Sequence, residues 1–560
     1  VGITRNWQSE TNVLVVGSGA AALVAAIAAH DHGARVRVVE RSDLIGGTTA
    51  VSGGGMWIPL HHHVREAGPD TREAVLDYIR AASLGRSDDT RLVNFLDNAA
   101  TILKYLEDNT PLRTEEFLMP DYRQEKPGSK PLGRCVEASL WDPAALGSCR
   151  TRIRPGHVFA APALVGEFTQ WSALLRPENA PMDLISERLE RGLVATGNAL
   201  VGMLLKGCLD RGISVEVGTR VVELIKDDGR LTGVYAERDG KPVQLGASVV
   251  VLACGGFEWN RRLRSAFLPG RIEHPNSPPF NKGDALLMAM QVGADLDNMT
   301  ETWGFPSMVV PNETYEGAPL SRLCFAERHA PHSMIVNRRG RRFANEASNY
   351  NDMPKAFQAF DPTDFDHPNT PAWAIVDSRY RESYSLATIP PGAPDPEWLD
   401  RDTTLAGLAA KVGIDPDGLA LGVGRFNELY QKRRDIDFGR GKSVYDQFMG
   451  DKSAPHLTLG SIEKPPFYAV PIYPGTMGTK GGPRINVDGQ VIDVRGTAIP
   501  GLYGAGNSVA AMSGPANWGG GGTLGPAVVD GWMAGRHAAG YVGRRPPHAG
   551  APAATASQPA

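Results

Sequence analysis

An α/β fold is predicted: a parallel-sheet domain assembled from discontinuous segments of the chain and interrupted by an inserted α+β domain. Three observations lead there. A short apolar strand, a glycine turn, an apolar helix and a second strand follow one another from Asn12 to Val39. Two further strand patterns run into glycines, one ending in a glycine pair at Val249–Gly256 and one running into a turn at Pro500–Gly506. These units lie toward opposite ends of the chain, so one domain has to be built across a long interruption. The 560 residues include 64 Gly, about 11% against a usual ~7%. Disorder is excluded as the source, because 42% of residues are hydrophobic and 21% charged, and no G-X-Y period points to collagen.

The first unit is Asn12-Val-Leu-Val-Val16, then Gly17-Ser18-Gly19-Ala20-Ala21-Ala22, then Arg35-Val-Arg-Val-Val39 ending in Glu40. This is GxGxxA between a strand and a helix, with an acid about 20 residues on. Gly17 permits the tight turn, Gly19 lets backbone approach a pyrophosphate, and Ala22 keeps helix and strand close. The helix N-terminus offers amide donors and a positive dipole end, and Glu40 accepts from ribose hydroxyls. The unit is therefore Rossmann-like and binds a dinucleotide. A second cluster, Gly46-Gly47-Thr48-Thr49-Ala50-Val51-Ser52-Gly53-Gly54-Gly55, reads as a bare loop offering amides and hydroxyls to an anion or a flat ring. The strand at Val249 ends in Ala253-Cys-Gly255-Gly256. The strand at Pro500 ends in Gly504-Ala-Gly506-Asn507. Gly519–Gly522 precedes Thr523, Leu524 and a helical pattern over Pro526–Ala539. No second complete GxGxxG-plus-acid unit is present, which argues for one extended dinucleotide and against a nicotinamide site.

The totals exclude other classes. With 58 Lys+Arg against 62 Asp+Glu and no long basic run, no nucleic-acid partner is expected. Five scattered Cys without CxxC or zinc spacing fit a reducing compartment, and a cytoplasmic location is expected. No apolar stretch reaches the length of a transmembrane segment. His61–His63 reads as a surface loop, because consecutive histidines do not easily converge on one ion, so no metal is expected. Cys254 reads as a small buried hydrophobe, and Arg341, Arg342 and Glu346 as a structural salt-bridge knot.

These segments together resemble the flavoprotein family that includes the fumarate reductase and succinate dehydrogenase flavoprotein subunits and the 3-ketosteroid dehydrogenases. GSGAAA, GGTTAVSGGG, LACGGFE, GRRFANE, GTKGG and PGLYGAGN all have counterparts there. The resemblance implies non-covalent FAD, since Thr48 stands where the succinate dehydrogenase branch has its flavin-linked His. Cofactor contacts are expected from Gly17, Ser18, Gly19, Ala20, Ala21, Glu40 and Arg41. The second cluster adds Gly47, Thr48, Thr49, Ser52, Gly53 and Gly54, and the later strands and turns add Ala253, Gly255, Asp284, Gly506, Asn507, Gly522, Thr523 and Leu524. It also implies a division into 1–280 (FAD-binding, with a helical insertion at about 70–195), 281–455 (catalytic) and 456–543 (FAD-binding); the tail 544–560, rich in Pro and Ala, is expected to be disordered.

The dicarboxylate branch is disfavoured, because its His and Arg positions are here occupied by Gly475-Thr-Met-Gly478 and by Trp518. The ketosteroid branch is favoured by Trp57-Ile-Pro59, by Pro120-Asp-Tyr122-Arg-Gln-Glu-Lys-Pro-Gly128 and by Arg342-Phe-Ala-Asn-Glu346-Ala-Ser-Asn-Tyr350. Carried over, Tyr350 is the base that takes the α-proton of a cyclic ketone and Tyr122 shares its proton. Asn517 and the Gly521 N–H bind the ketone oxygen, with Asn517 replacing the branch's tyrosine, and Trp518 forms a substrate wall. The β-hydrogen leaves as hydride to flavin N5. The expected partners are a small cyclic ketone and a quinone or other electron acceptor. An ene-reductase and a non-catalytic electron-transfer flavoprotein are the alternatives.

Overall fold

The computed structural model describes residues 7–64 and 68–543; the tail expected to be disordered, 544–560, lies outside the described residues. Strand β1 (Ser9–Val16) is the axis of the first sheet. It pairs in parallel with β2 (Val36–Val39) on one side, Val13 opposite Val36, and with the strand Lys241–Leu252 on the other, Val13 opposite Val249. Lys241–Leu252 then pairs in parallel with Ala498–Gly504, so the sheet is closed by a segment from the far end of the chain. Four-residue apolar runs such as Val13–Val16 are fully buried because helices cover both faces of a parallel sheet.

Helix α1 (Ala20–Asp31) is buried from Ala20 through Ala29. Its alanines favour helix, and an all-apolar circumference requires cover on every side. The cover comes from the helix Leu524–Gly543. A Cβ at Gly531 or Gly535 would lie 2.4 or 2.2 Å from the carbonyl oxygens of Ala21 and Ala25, so only glycine permits this approach.

The second sheet has the strand order Ala318–Leu323, Thr302–Tyr315, Phe467–Thr479, Ala372–Val376, Ser333–Val336. Phe467–Thr479, expected within the C-terminal FAD-binding part, is instead the central strand here, and His274–Pro275 also pairs with it. The second sheet thus draws strands from outside 281–455. The cause is physical: a long apolar strand of high β propensity suits either sheet, and its sequence carries no mark of its partner. The insertion expected to be helical contains the helices Arg72–Ser83 and Asp89–Asn109, each N-capped by a side chain, Thr71 and Asp88. It also contributes strands Thr114–Phe117 and Cys135–Ala138, which form a three-stranded sheet with Gly55–Trp57. The glycine loop after β2 contains one helical turn, Gly47–Val51. No helix of the described residues is long and apolar enough to cross a membrane.

Candidate active site

One cavity is lined by both parts of the molecule, with the ends of β1, β2 and Lys241–Leu252 at one end and residues of the inserted unit at the other. The strand ends explain its position: in an open parallel sheet the carboxyl ends leave a crevice where backbone amides are free. Gly17 makes the first turn. Its φ is +108°, and a Cβ there would lie 2.3 Å from the Ala253 oxygen, so neither a side chain nor an ordinary backbone conformation fits. Gly19, Ala20 and Ala21 line the cavity at the N-terminus of α1, whose N-cap Gly19 makes no side-chain hydrogen bond. Thr49 Oγ1 accepts from the Ala20 amide at 3.1 Å. Glu40 is buried and held in place: Ser18 Oγ donates to one oxygen at 2.7 Å and the Ser42 amide to the other at 2.9 Å. A carboxylate has about four acceptor sites, so Glu40 keeps capacity for a ribose diol. The donor set fits a dinucleotide: amides at a helix N-terminus for the pyrophosphate and a fixed acid for the sugar.

Most of the other expected cofactor residues also line the cavity: Arg41, Gly47, Thr48, Thr49, Ser52, Gly53, Gly54, Ala253, Gly255, Asp284, Gly506, Asn507, Thr523 and Leu524. Several are already tied down. Arg41 pairs with Asp284 at 2.9 Å, and Arg220 grips the same carboxylate at 2.9 Å. Asn281 donates to Thr48 Oγ1 at 2.9 Å, and Trp303 Nε1 to Asn507 Oδ1 at 3.0 Å. Gly522 is outside the lining; its amide donates to the Gly519 carbonyl at 3.0 Å to close the glycine turn.

At the other end, Tyr122 Oη donates to Tyr350 Oη at 3.0 Å, and Asn517 Nδ2 reaches the same Tyr350 oxygen at 3.4 Å. Tyr350 stacks on Phe305 with ring centres 4.5 Å apart, and Tyr122 stands edge-on to Tyr350 and Tyr445. Burial raises both phenols. Tyr122 is pushed well above the usual tyrosine value, with the Tyr350 and Tyr445 phenols adding to the effect of burial. For Tyr350 the hydrogen bonds from Tyr122 and Asn517 oppose burial. Tyr350, which accepts both bonds, is therefore the member of the pair better able to carry a negative charge.

Tyr122 is fixed by its neighbour. Asp121 accepts from Trp57 Nε1 at 2.9 Å, Arg134 Nη1 at 2.7 Å and the Lys130 amide at 2.9 Å. Burial raises its carboxyl to about 6, with Arg134 opposing. The Tyr122 amide donates to the Trp518 carbonyl at 3.0 Å, and Tyr78 Oη donates to it at 2.6 Å.

Two of the residues expected to meet the substrate at the glycine run lie outside the cavity lining. Trp518 is one of them. Its indole is fully buried, outside the lining, and packs on Trp57 and Phe95 at 5.2 and 5.6 Å between ring centres. The backbone there turns its carbonyl toward Tyr122 and Tyr78 and sends the large apolar face into the core, where burial is most favourable. Asn517 is also outside the lining, 2% exposed, and its amide nitrogen serves Tyr350 while its Oδ1 has no partner among the described residues. Gly521 does line the cavity, and its N–H makes no hydrogen bond to the described residues.

Sequence reasoning missed the apolar lining around the tyrosines, notably Phe117, Met119, Phe305, Phe325, Tyr445 and Met449. Only Tyr445 and Met449 left a signal, an i, i+4 pair on the helix Val444–Met449; the rest come from unrelated segments. The consecutive histidines do converge: His62 and His63 each meet the Glu107 carboxylate at 2.9 Å. Cys254 lines the cavity, its thiol pushed up to about 12 by burial. Arg342 joins Glu346 at 2.6 Å and Asp435 at 2.9 Å, and Arg440 approaches Glu346 at 3.5 Å.

The FAD binding domain family matches residues 12–524 of the chain. A 4-oxocyclohexanecarboxylate 2-dehydrogenase of Sinomonas cyclohexanicum is 39% identical over 546 residues, covering 95% of this chain and 93% of that protein. A 3-oxosteroid 1-dehydrogenase of Mycobacterium tuberculosis is 34% identical over 568 residues, covering 96% of this chain and 99% of that protein. A crystal structure of 3-ketosteroid delta1-dehydrogenase from Sterolibacterium denitrificans, in complex with 1,4-androstadiene-3,17-dione, matches with a TM-score of 0.88 at 35% identity, over 95% of this chain and 99% of that one.

Proposed function

The chain belongs to the FAD binding domain family and is an FAD-dependent dehydrogenase of the 3-oxosteroid or cyclic oxo-carboxylate type, and from that premise we propose that it introduces a double bond beside the carbonyl of an uncharged, apolar ring ketone. The observation that carries this is the Tyr122–Tyr350 pair at 3.0 Å in a cavity end walled by apolar and aromatic side chains.

An α-hydrogen of a ketone becomes acidic when the growing enolate is stabilised. The Gly521 N–H is the donor for the ketone oxygen. The hydrogen bond from Tyr122 stabilises Tyr350 as the phenolate; its Oη takes the α-proton and becomes neutral, the electron pair of the broken C–H bond passes to the enolate, and Tyr122 offers a route for the proton onward. Asn517, through Tyr350, positions that oxygen. When bound, FAD supplies at N5 the acceptor for the hydride that leaves the β-carbon. The Gly46–Gly55 segment holds no His or Cys for attachment, which supports non-covalent FAD. With no second GxGxxG-plus-acid unit for a nicotinamide cofactor, a quinone or comparable acceptor is the partner that collects the electrons.

The charge distribution bears on substrate class. The lining contains two cationic side chains, Arg41 and Arg154. Both serve the nucleotide end: Arg41 pairs with Asp284 at 2.9 Å, and Arg154 donates to Ser42 Oγ at 2.8 Å and pairs with Glu316. None of the lining residues near the tyrosines is Lys, Arg or His. Burying an unpaired carboxylate there costs several kcal/mol, so a 3-ketosteroid suits this end better than a cyclic keto acid. The test is anaerobic bleaching of the FAD absorbance by a 3-ketosteroid, by cyclohexanone and by 4-oxocyclohexanecarboxylate. The steroid is expected to bleach it at least ~100-fold faster than the keto acid, and Tyr350→Phe to slow bleaching by ~100-fold or more with FAD retained. A preference for the keto acid refutes the apolar-substrate reading; unchanged bleaching by Tyr350→Phe refutes the base.

A further inference from the structure

Arg328 stands on the short helix Ala326–His329 and is 0% exposed. Its Nη2 donates to the Ser348 carbonyl, two residues before Tyr350, while Nε and Nη1 have no partner. No carboxylate of the described residues lies within the 4.0 Å ion-pair distance. Its guanidinium carbon is 5.7 Å from the centre of the Phe305 ring, and Phe305 stacks on Tyr350.

Among the described residues this charge has no ion-pair partner. On its own helix, Glu327 is raised to about 7 by burial and accepts from the Ala387 amide, and His329 is held in its neutral form by burial. From the helix Val444–Met449, Asp446 is engaged by Asn345, the Gly441 amide and Ser443, and Tyr445 lies nearby, as does Cys324. Tyr350 faces Tyr122, Asn517, Cys135 and Arg328. Arginine keeps its proton even when buried, and a buried charge without a counterion is costly.

We propose that Arg328 supplies the positive field that stabilises negative charge on the Tyr350–Tyr122 pair, as a positioning residue acting across Phe305 without touching substrate. This rests on Tyr350 as the base. The step balances within that scheme: the substrate α C–H bond breaks, its proton bonds to the Tyr350 phenolate and neutralises it, its electron pair stays on the substrate as the enolate that would release the β-hydride to bound FAD, and Arg328 favours the phenolate that receives the proton.

The test compares Arg328→Met and Arg328→Lys holoenzymes with the native protein. Readouts are the pH profile of kcat/KM for ketone dehydrogenation, the tyrosinate absorbance titration with Tyr350→Phe assigning the signal, and Tm. Arg328→Met is expected to keep or raise Tm, since an apolar replacement removes an unpaired charge. Its acid limb is expected to move up by roughly one pH unit, with about a tenfold loss of rate on that limb, and Arg328→Lys to recover part of the shift. Unmoved limbs in both variants overturn the proposal, and so does a failure of Arg328→Met to fold, which would assign a structural role. An inactive Tyr350→Phe alongside unmoved limbs leaves the base standing and removes only Arg328; an active Tyr350→Phe removes the base itself, and the proposal with it.

Discussion

Glu137, buried on the strand Cys135–Ala138, accepts from the amides of Val165 and Gly166 at 2.9 and 3.0 Å. Burial nevertheless raises its carboxyl from 4.5 to about 8. Between those values the folded protein holds a proton that the unfolded chain has released. Stability therefore falls as pH rises through that window, by at most ~1.4 kcal/mol per pH unit. Glu137→Gln removes the titration while keeping a carbonyl acceptor for one amide. Thermal melts from about pH 5 to pH 8 are expected to show a flatter pH slope in the variant than in the native protein. At this scale the sequence was uneven. Tyr122 and Tyr350 stand in recognisable segments, and their pairing needed only the fold. Trp518 and Asn517 stand in an equally recognisable segment, but residue type says nothing about which way a backbone turns its side chain. In this structure one points into the core and the other at Tyr350. Glu137 and Arg328 left no signal, because an isolated charged residue in a sequence does not disclose its burial.

Among the elements, β1, α1 and β2 were legible in kind, with β1 beginning at Ser9 ahead of the apolar run read from Asn12, since an apolar strand, a glycine turn and an alanine-rich helix each dictate their own geometry. Gly17 is the point where that geometry is least forgiving, with its φ of +108° and the Ala253 carbonyl 2.3 Å from any added Cβ. Gly17→Ala is expected to displace the turn and abolish FAD retention, read as the flavin-to-protein ratio after gel filtration. A full complement of FAD in that variant would count against the placement of the cofactor. Elements whose partners are distant were less legible. The turn of helix at Gly47–Val51 follows from contacts that no local pattern encodes, and Phe467–Thr479 reads as a strand without naming its sheet.

For the whole molecule, glycine clusters at both ends foretold a domain built from discontinuous segments, and both sheets are closed in that way. Ala498–Gly504 completes the first and Phe467–Thr479 the second. A chain truncated before Ala498 is expected to lose FAD and cooperative thermal unfolding together, followed by flavin fluorescence and circular dichroism, because it lacks a strand of the nucleotide sheet and the cover of α1. The same arrangement constrains synthesis. Helix α1 is apolar on every face, and the helix that packs its alanines against Gly531 and Gly535 follows it only after most of both sheets has been made. Until that helix is made, a sticky segment lacking its main cover is therefore exposed on the nascent chain, the situation in which holding chaperones protect against aggregation.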